Sequence, residues 1–272
     1  MISTIIFSKN RACQLDLLLR SMEENFNHVS TNVRVLYTAT NSEFEMGYSK
    51  LIDKFPNVIW DEEADFERDT RWALDRASEY VCFFVDDNIV YRPPPLTEDQ
   101  TEDLFAQSEH IGCLSLRLGE NTYIQDPHTN QRVALQHKIE YMQVTPDCKL
   151  LVWNWKTIGY NNFGYPFSVD GHIYKTQVVQ DGLDYDFPNP NGFEGRFVHT
   201  NIPQIMCCPE LSCVVNTPLN LVGSSNNKAG VKYGASLEEL NTNFISGKTI
   251  SLDTVDPSTV IGCHQEMELI YE

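Results

Sequence analysis

The 272-residue chain predicts an α/β fold: a Rossmann-like, mostly parallel sheet flanked by helices, followed by an irregular α+β lobe. Two observations carry this expectation. Over roughly the first 120 residues, short β-branched or apolar runs alternate with segments whose apolar residues recur at helical spacing; after Gly119 the alternation stops. The length suits one domain with a sizeable core, and no stretch reads as a linker long enough to free a second.

Thr4 to Ser8 reads as the first strand. Asn10 is the expected N-cap of a helix in which Leu15, Leu18, Met22 and Phe26 share a face. Val33 to Thr38 is the second strand and Asn57 to Trp60 a short third. Thr70 to Ser78, with Trp72, Leu74 and Ala77, is a helix leading into the strand Tyr80 to Val85. Pro93-Pro94-Pro95 breaks the chain before a helix opened by the capping box Thr97-Glu98-Asp99-Gln100, and Ile111 to Leu116 is the next strand. Strands joined by such helices pair in parallel through right-handed crossovers. Residues 121–220 then mix Pro, Gly and Asn with strand-like runs such as Lys149 to Trp155. A Ser/Asn/Gly loop, Gly223 to Gly234, precedes a helix capped at Ser236 with Glu239 and stopped at Gly247. The expected organisation is a single domain, 1–272, with a first lobe 1–120, a second 121–220 and a C-terminal loop and helix 221–272.

Acidic residues outnumber basic ones 38 to 20, giving a formal charge of −18, so polyanions are repelled at long range and nucleic acid is excluded as the main partner. The N-terminus lacks the features of a signal peptide. The most apolar stretch elsewhere, Tyr80 to Val85, is far below the roughly 18 to 20 residues that span a bilayer. Eight cysteines show no C-x-x-C pairing, and several sit in apolar runs such as Val81-Cys82-Phe83. There is no N-x-S/T site. A reducing, cytoplasmic setting is expected.

Asp86-Asp87-Asn88 follows directly on the strand ending at Val85. Ligands of open parallel sheets bind outside the carboxyl ends of the strands, and two adjacent acids there ask for a positive partner, of which a divalent cation with oxygen ligands is the usual one. The same residues also cap turns.

The first strand with Ser8-Lys9-Asn10-Arg11, then Arg68 and Arg71, then the apolar strand ending in Asp86-Asp87-Asn88-Ile89-Val90-Tyr91 together resemble the nucleotide-sugar half of GT-A glycosyltransferases of the family 2 type. The acidic pair resembles that family's D-x-D motif. The resemblance implies a nucleoside diphosphate sugar donor, a hydroxyl acceptor, and Mn²⁺ or Mg²⁺ held by Asp87, with Asp86 on the nucleotide or a metal-bound water. Ser8, Asn10, Arg11, Arg68 and Arg71, with Asp86, are the implied donor-binding residues; in so acidic a chain, Lys9, Arg11, Arg68 and Arg71 are the cations available for a diphosphate. The chain departs from the family where strand two ends Tyr37-Thr38-Ala39-Thr40-Asn41, without the Asp that reads uridine.

Tyr165 to Tyr174 resembles the family's acceptor-side element, and Glu194 in Asn191-Gly192-Phe193-Glu194-Gly195 stands where inverting members place their base, although Gly195 replaces the usual acidic neighbour. Glu194 and, as second candidate, Asp170 are the expected catalytic carboxylates. Trp153, Trp155, Tyr160, Phe163, Tyr165 and Phe167 are either core or a stacking face for a sugar. His264 and His199 are either further metal ligands or hydrogen-bonded structural histidines. The competing readings are a nucleotidyltransferase, whose glycine-rich phosphate loop is missing from Phe7-Ser8-Lys9-Asn10-Arg11-Ala12, a noncatalytic binder of the same fold, and a glycoside hydrolase, whose acids would lie apart across the sugar.

Overall fold

The computed structural model describes residues 1–126, 131–133, 139–159, 161–197, 200–222 and 229–272. Three βα units open the chain: β1 (Ile2–Lys9), α1 (Ala12–Asn25), β2 (Asn32–Thr38), α2 (Ser42–Lys54), β3 (Ile59–Glu62) and α3 (Phe66–Leu74). They lead to β4 (Tyr80–Val85), the short β5 (Asn88–Val90), α4 (Glu98–Gln107) and β6 (Ile111–Ser115). Then follow β7 (Ile124–Asp126), β8 (Gln131–Arg132), β9 (Glu140–Thr145), β10 (Cys148–Asn154), β11 (His172–Lys175), α5 (Thr176–Asp181), α6 (Pro190–Phe197), β12 (Ile205–Pro209), β13 (Val214–Asn216) and α7 (Leu237–Ile245).

Among the described residues the main sheet has nine strands in the order β3-β2-β1-β4-β11-β6-β12-β10-β9. β11 and β10 run against the others. The expected alternation over residues 1–120 is therefore present. The second half, expected as an irregular lobe packed on the first, instead extends the same sheet: His172 lies opposite Phe83 and Met206 opposite Cys113. Strand pairing between residues about 90 apart leaves no local periodicity to read.

Each strand of the centre alternates its side chains between two cores. Ile2 and Ile6 of β1 join Leu15 and Leu18 of α1 on one face. Ile5 and Phe7 join Phe66, Phe83 and Phe193 on the other. There Phe167 stacks on Phe197 at 4.0 Å and meets Phe193 edge-on at 5.0 Å, so a fully buried aromatic cluster fixes α6 beneath the end of β4.

Helix caps explain most boundaries. Thr97 and Gln100 form the reciprocal capping box of α4, and Ser236 Oγ accepts from Glu239 N at 3.0 Å at the start of α7. α1 differs from expectation: it starts from Arg11 without a side-chain cap, and Asn10 takes a left-handed φ of 58°. Asn10 Oδ1 and Nδ2 bond the backbone N–H and hydroxyl of Thr40 instead, tying the end of β1 to that of β2. Helix α2 was not foreseen, although Asn41 caps it and Phe44, Tyr48 and Leu51 share its buried face. No helix of the described residues is long and apolar enough to cross a membrane. All eight cysteines are buried and unpaired.

Candidate active site

β2 lies on one side of β1 and β4 on the other, so the chain order reverses between β1 and β4. The crevice outside their carboxyl ends is the position where open sheets bind ligands. Lys9-Asn10-Arg11 leave β1 there and Asp86-Asp87 leave β4. Asp86 N donates to Phe7 O at 3.1 Å, stitching the two ends together.

Arg11 organises the acids. Its Nη1 lies 2.9 Å from both Asp86 Oδ1 and Asp87 Oδ2, while Nε and Nη2 donate to the side-chain and backbone oxygens of Asn220 at 2.8 and 2.5 Å. Burial alone would lower the guanidinium pKa, but Asp87 and Asp86 more than reverse this and it is raised. Asp86 Oδ2 accepts from Lys9 N at 3.0 Å, and Asp87 Oδ1 from Asn216 Nδ2 at 2.6 Å. Burial pushes the Asp87 carboxyl up, against the pull of Arg11. Arg11, the adjacent Asp86 and Asp87, and Asn216, far apart in sequence, thus share one buried cluster in which neither acid is left without a partner.

Asp170 extends the cluster. The same Asn216 Nδ2 lies 3.4 Å from Asp170 Oδ1, which also accepts from Asn88 Nδ2 at 3.2 Å. Asp170 Oδ2 accepts from Arg117 Nη1 at 2.8 Å and meets His264 Nε2 at 3.0 Å. Burial by itself would raise this carboxyl; the bonds and charges of His264, Arg117 and Asn88 hold it well below the usual carboxylate range.

Glu194 does not project freely. Its Oε1 accepts from Ser168 Oγ at 2.8 Å and Val169 N at 2.7 Å, fixing the turn that presents Asp170. Burial and then the charge of Asp170 raise its pKa. On the next strand His172 is fully buried between Ser115 Oγ and Tyr174 OH, each at 2.9 Å, and burial holds it neutral.

The other expected site residues divide. Ser8 lines the end of β1 but bonds Tyr48 OH at 2.7 Å, which also accepts from Arg11 N at 3.2 Å. Arg68 and Arg71 are not brought to the carboxylates. Arg68 is exposed and pairs with Asp69 at 2.8 Å, whereas Arg71 bonds Glu67 and the carbonyls of Leu183 and Tyr185, each at 2.9 Å. Of the aromatic stretch, Trp153, Phe163 and Phe167 are core. Trp153 Nε1 donates to Phe163 O at 2.6 Å, and half-buried Trp155 Nε1 to Pro203 O at 3.1 Å. Tyr160 and His199 lie outside the described residues, as does much of the Gly223 to Gly234 loop.

Arg117, Asn216 and Asn220 were missed. The signal for Arg117 was its place in Leu116-Arg117-Leu118, a cation inside an apolar run, which is buried only with a partner. The oxygen-only donor set of Asp86 and Asp87 suits a hard cation such as Mg²⁺ or Mn²⁺, which takes one or two carboxylates and completes its shell with water and phosphate. Among the described residues no group of three or more His, Cys, Asp and Glu side chains converges to hold a metal ion.

No known family model matches the chain. It is 25% identical, over 284 residues covering 94% of its length, to the bifunctional glycosyltransferase pgtA of Dictyostelium discoideum, of which it spans only 35%. Among solved structures it is similar to S. aureus TarS 1–349 in complex with UDP-GlcNAc, with 14% identity, 90% of this chain and 65% of that one covered, and a TM-score of 0.47. It is also similar to the mannosyltransferase PcManGT of Pyrobaculum calidifontis in complex with GDP-Man and Mn²⁺, with 11% identity, 77% and 56% covered, and a TM-score of 0.41. The Dictyostelium relative is a glycosyltransferase by name.

Proposed function

We propose that this chain transfers a sugar from a nucleoside diphosphate sugar to a hydroxyl acceptor. The observation that carries the reading is the adjacent pair Asp86 and Asp87, held by Arg11 at the carboxyl end of β4 beside β1. Burying two neighbouring acids costs free energy that a merely structural turn does not require, whereas a diphosphate-binding crevice makes use of them. The 25% identity to a bifunctional glycosyltransferase supports it.

Asp87, with Asp86, would hold a Mg²⁺ or Mn²⁺ ion, which when bound neutralises charge on the departing diphosphate. The chain's own residues do the rest. Arg11 keeps a fixed positive charge beside the acids, and Asn10 and Lys9 present the end of β1 to the crevice. Direct displacement with inversion is the transfer proposed, as the resemblance of the Glu194 segment to inverting members implies. Glu194, occupied by Ser168 and Val169, is a positioning residue for the Asp170 turn. Eight buried, unpaired cysteines fit a reducing, cytoplasmic setting.

The test is release of nucleoside diphosphate from UDP-GlcNAc and from GDP-mannose, with Mg²⁺ or Mn²⁺ and a mixture of simple sugar acceptors. Release from at least one donor is expected. Tight binding without release would favour the noncatalytic binder, and neither binding nor release would overturn the reading.

A further inference from the structure

An inverting transfer needs a base that an acceptor hydroxyl can reach, and the carboxylates of Asp86, Asp87 and Asp170 are buried. We propose that His264 is that base, with Asp170 as the residue that orients it. The inference rests on the transferase reading above.

Four observations point to it. His264 is rigidly placed: it forms a bridge to Asn216 at the end of β13, with Asn216 N donating to Cys263 O and Gln265 N to Asn216 O, each at 2.8 Å. It belongs to the carboxylate cluster through Asp170, whose neighbour Asn216 also holds Asp87. Its side chain is 44% exposed, whereas those of Asp86, Asp87, Asp170 and Arg117 are at most 10% exposed, so among these it is the group open to an incoming acceptor. Finally, an ionised Asp170 only accepts hydrogen bonds, so Nε2 of His264 carries the proton and donates it. The lone pair is then on Nδ1, which makes no hydrogen bond among the described residues.

This is the arrangement in which a carboxylate fixes the tautomer of a neutral imidazole and stabilises the imidazolium that forms. Arg117 Nη1 bonds the same Asp170 oxygen at 2.8 Å and lies 3.5 Å from Nε2, so the carboxylate that holds the ring is itself held in place. In the step, Nδ1 takes the acceptor hydroxyl proton as the oxygen attacks the anomeric carbon. The bond from that carbon to the diphosphate oxygen breaks with its electron pair on the leaving group. The imidazolium then returns its proton to solvent.

The experiment measures release of nucleoside diphosphate from UDP-GlcNAc and GDP-mannose by wild type, His264→Gln and His264→Ala, with UDP and GDP affinities by calorimetry. In the glutamine variant Nε2 still donates to Asp170, but no basic nitrogen remains. Expected are a kcat about 10² to 10⁴ lower in both variants, donor KM and nucleoside diphosphate affinity within about threefold of wild type, and partial recovery of the alanine variant by added imidazole. A structural histidine would not be replaced by free imidazole. Retained kcat, absence of rescue, or loss of Mn²⁺-dependent nucleotide affinity would overturn the assignment of His264 while leaving the transferase reading in place. Failure of wild type to release nucleoside diphosphate from either donor would overturn both.

Discussion

Glu194 is bound to Ser168: its Oε1 accepts the serine hydroxyl at 2.8 Å, and the next backbone N–H, that of Val169, at 2.7 Å. The carboxylate therefore holds together α6 and the turn before β11, 25 or 26 residues away in sequence. Glu194→Ala would strand both donors in a buried place, and a loss of about 1–3 kcal/mol in unfolding free energy is expected. Glu194→Gln retains an accepting oxygen and should keep stability and kcat, the latter within about tenfold. Denaturant titration and nucleoside diphosphate release check both; a thousandfold loss in a stably folded glutamine variant would return the base to Glu194.

His172 makes stability depend on pH. Burial first, then Arg117, holds its pKa well below the ordinary histidine value. The unfolded chain binds a proton that the folded protein refuses, so this stabilisation is complete above about pH 6.5 and is lost as pH falls below it. The urea midpoint should drop between pH 7 and 5. His172→Phe, less stable at pH 8 because Ser115 and Tyr174 lose a partner, should show a shallower drop; an unchanged slope would remove His172 from the account. Glu194, raised by burial, acts with the opposite sign: stability falls as pH climbs from the ordinary Glu range through its raised value.

Arg11 uses both ends of its guanidinium, two acids on one side and Asn220 on the other. A lysine is a single point charge and cannot span them. Arg11→Lys is expected to lower stability by about 1–3 kcal/mol and to weaken nucleoside diphosphate binding. Asn220→Ala, which frees the guanidinium without removing its charge, should weaken binding less. Thermal melting with calorimetry measures both, and a lysine variant of wild-type stability would contradict the clamp.

The sequence made legible what is local. Asp86-Asp87 at a strand end, the capping box at Thr97 and the strand Tyr80–Val85 all coincide with the structure because spacing and composition within ten residues determine them. Asp87 itself illustrates the limit: read as an acid at a cleft mouth, it is dispensable to the fold, yet it is buried, pairs with Arg11 and accepts from Asn216. Arg117 and Asn216 reach the site only through strand order, which joins residues 53 and 46 positions from Asp170. Arg68 and Arg71 were chosen for charge near a strand, but α3 directs them to Asp69 and to the 183–185 turn.

The central claim is that the Asp86/Asp87 end of β4 binds a nucleoside diphosphate with a divalent cation. Calorimetry of UDP and GDP, each with Mn²⁺ and with EDTA, on wild type and Asp87→Asn is the direct measurement. Asparagine is used because it keeps an oxygen for Arg11, where alanine would also unbalance the cluster. The account predicts Mn²⁺-dependent binding of at least one nucleotide by wild type and a loss of tenfold or more in the folded variant. Equal affinity in the two proteins, or wild-type binding indifferent to EDTA, would contradict it.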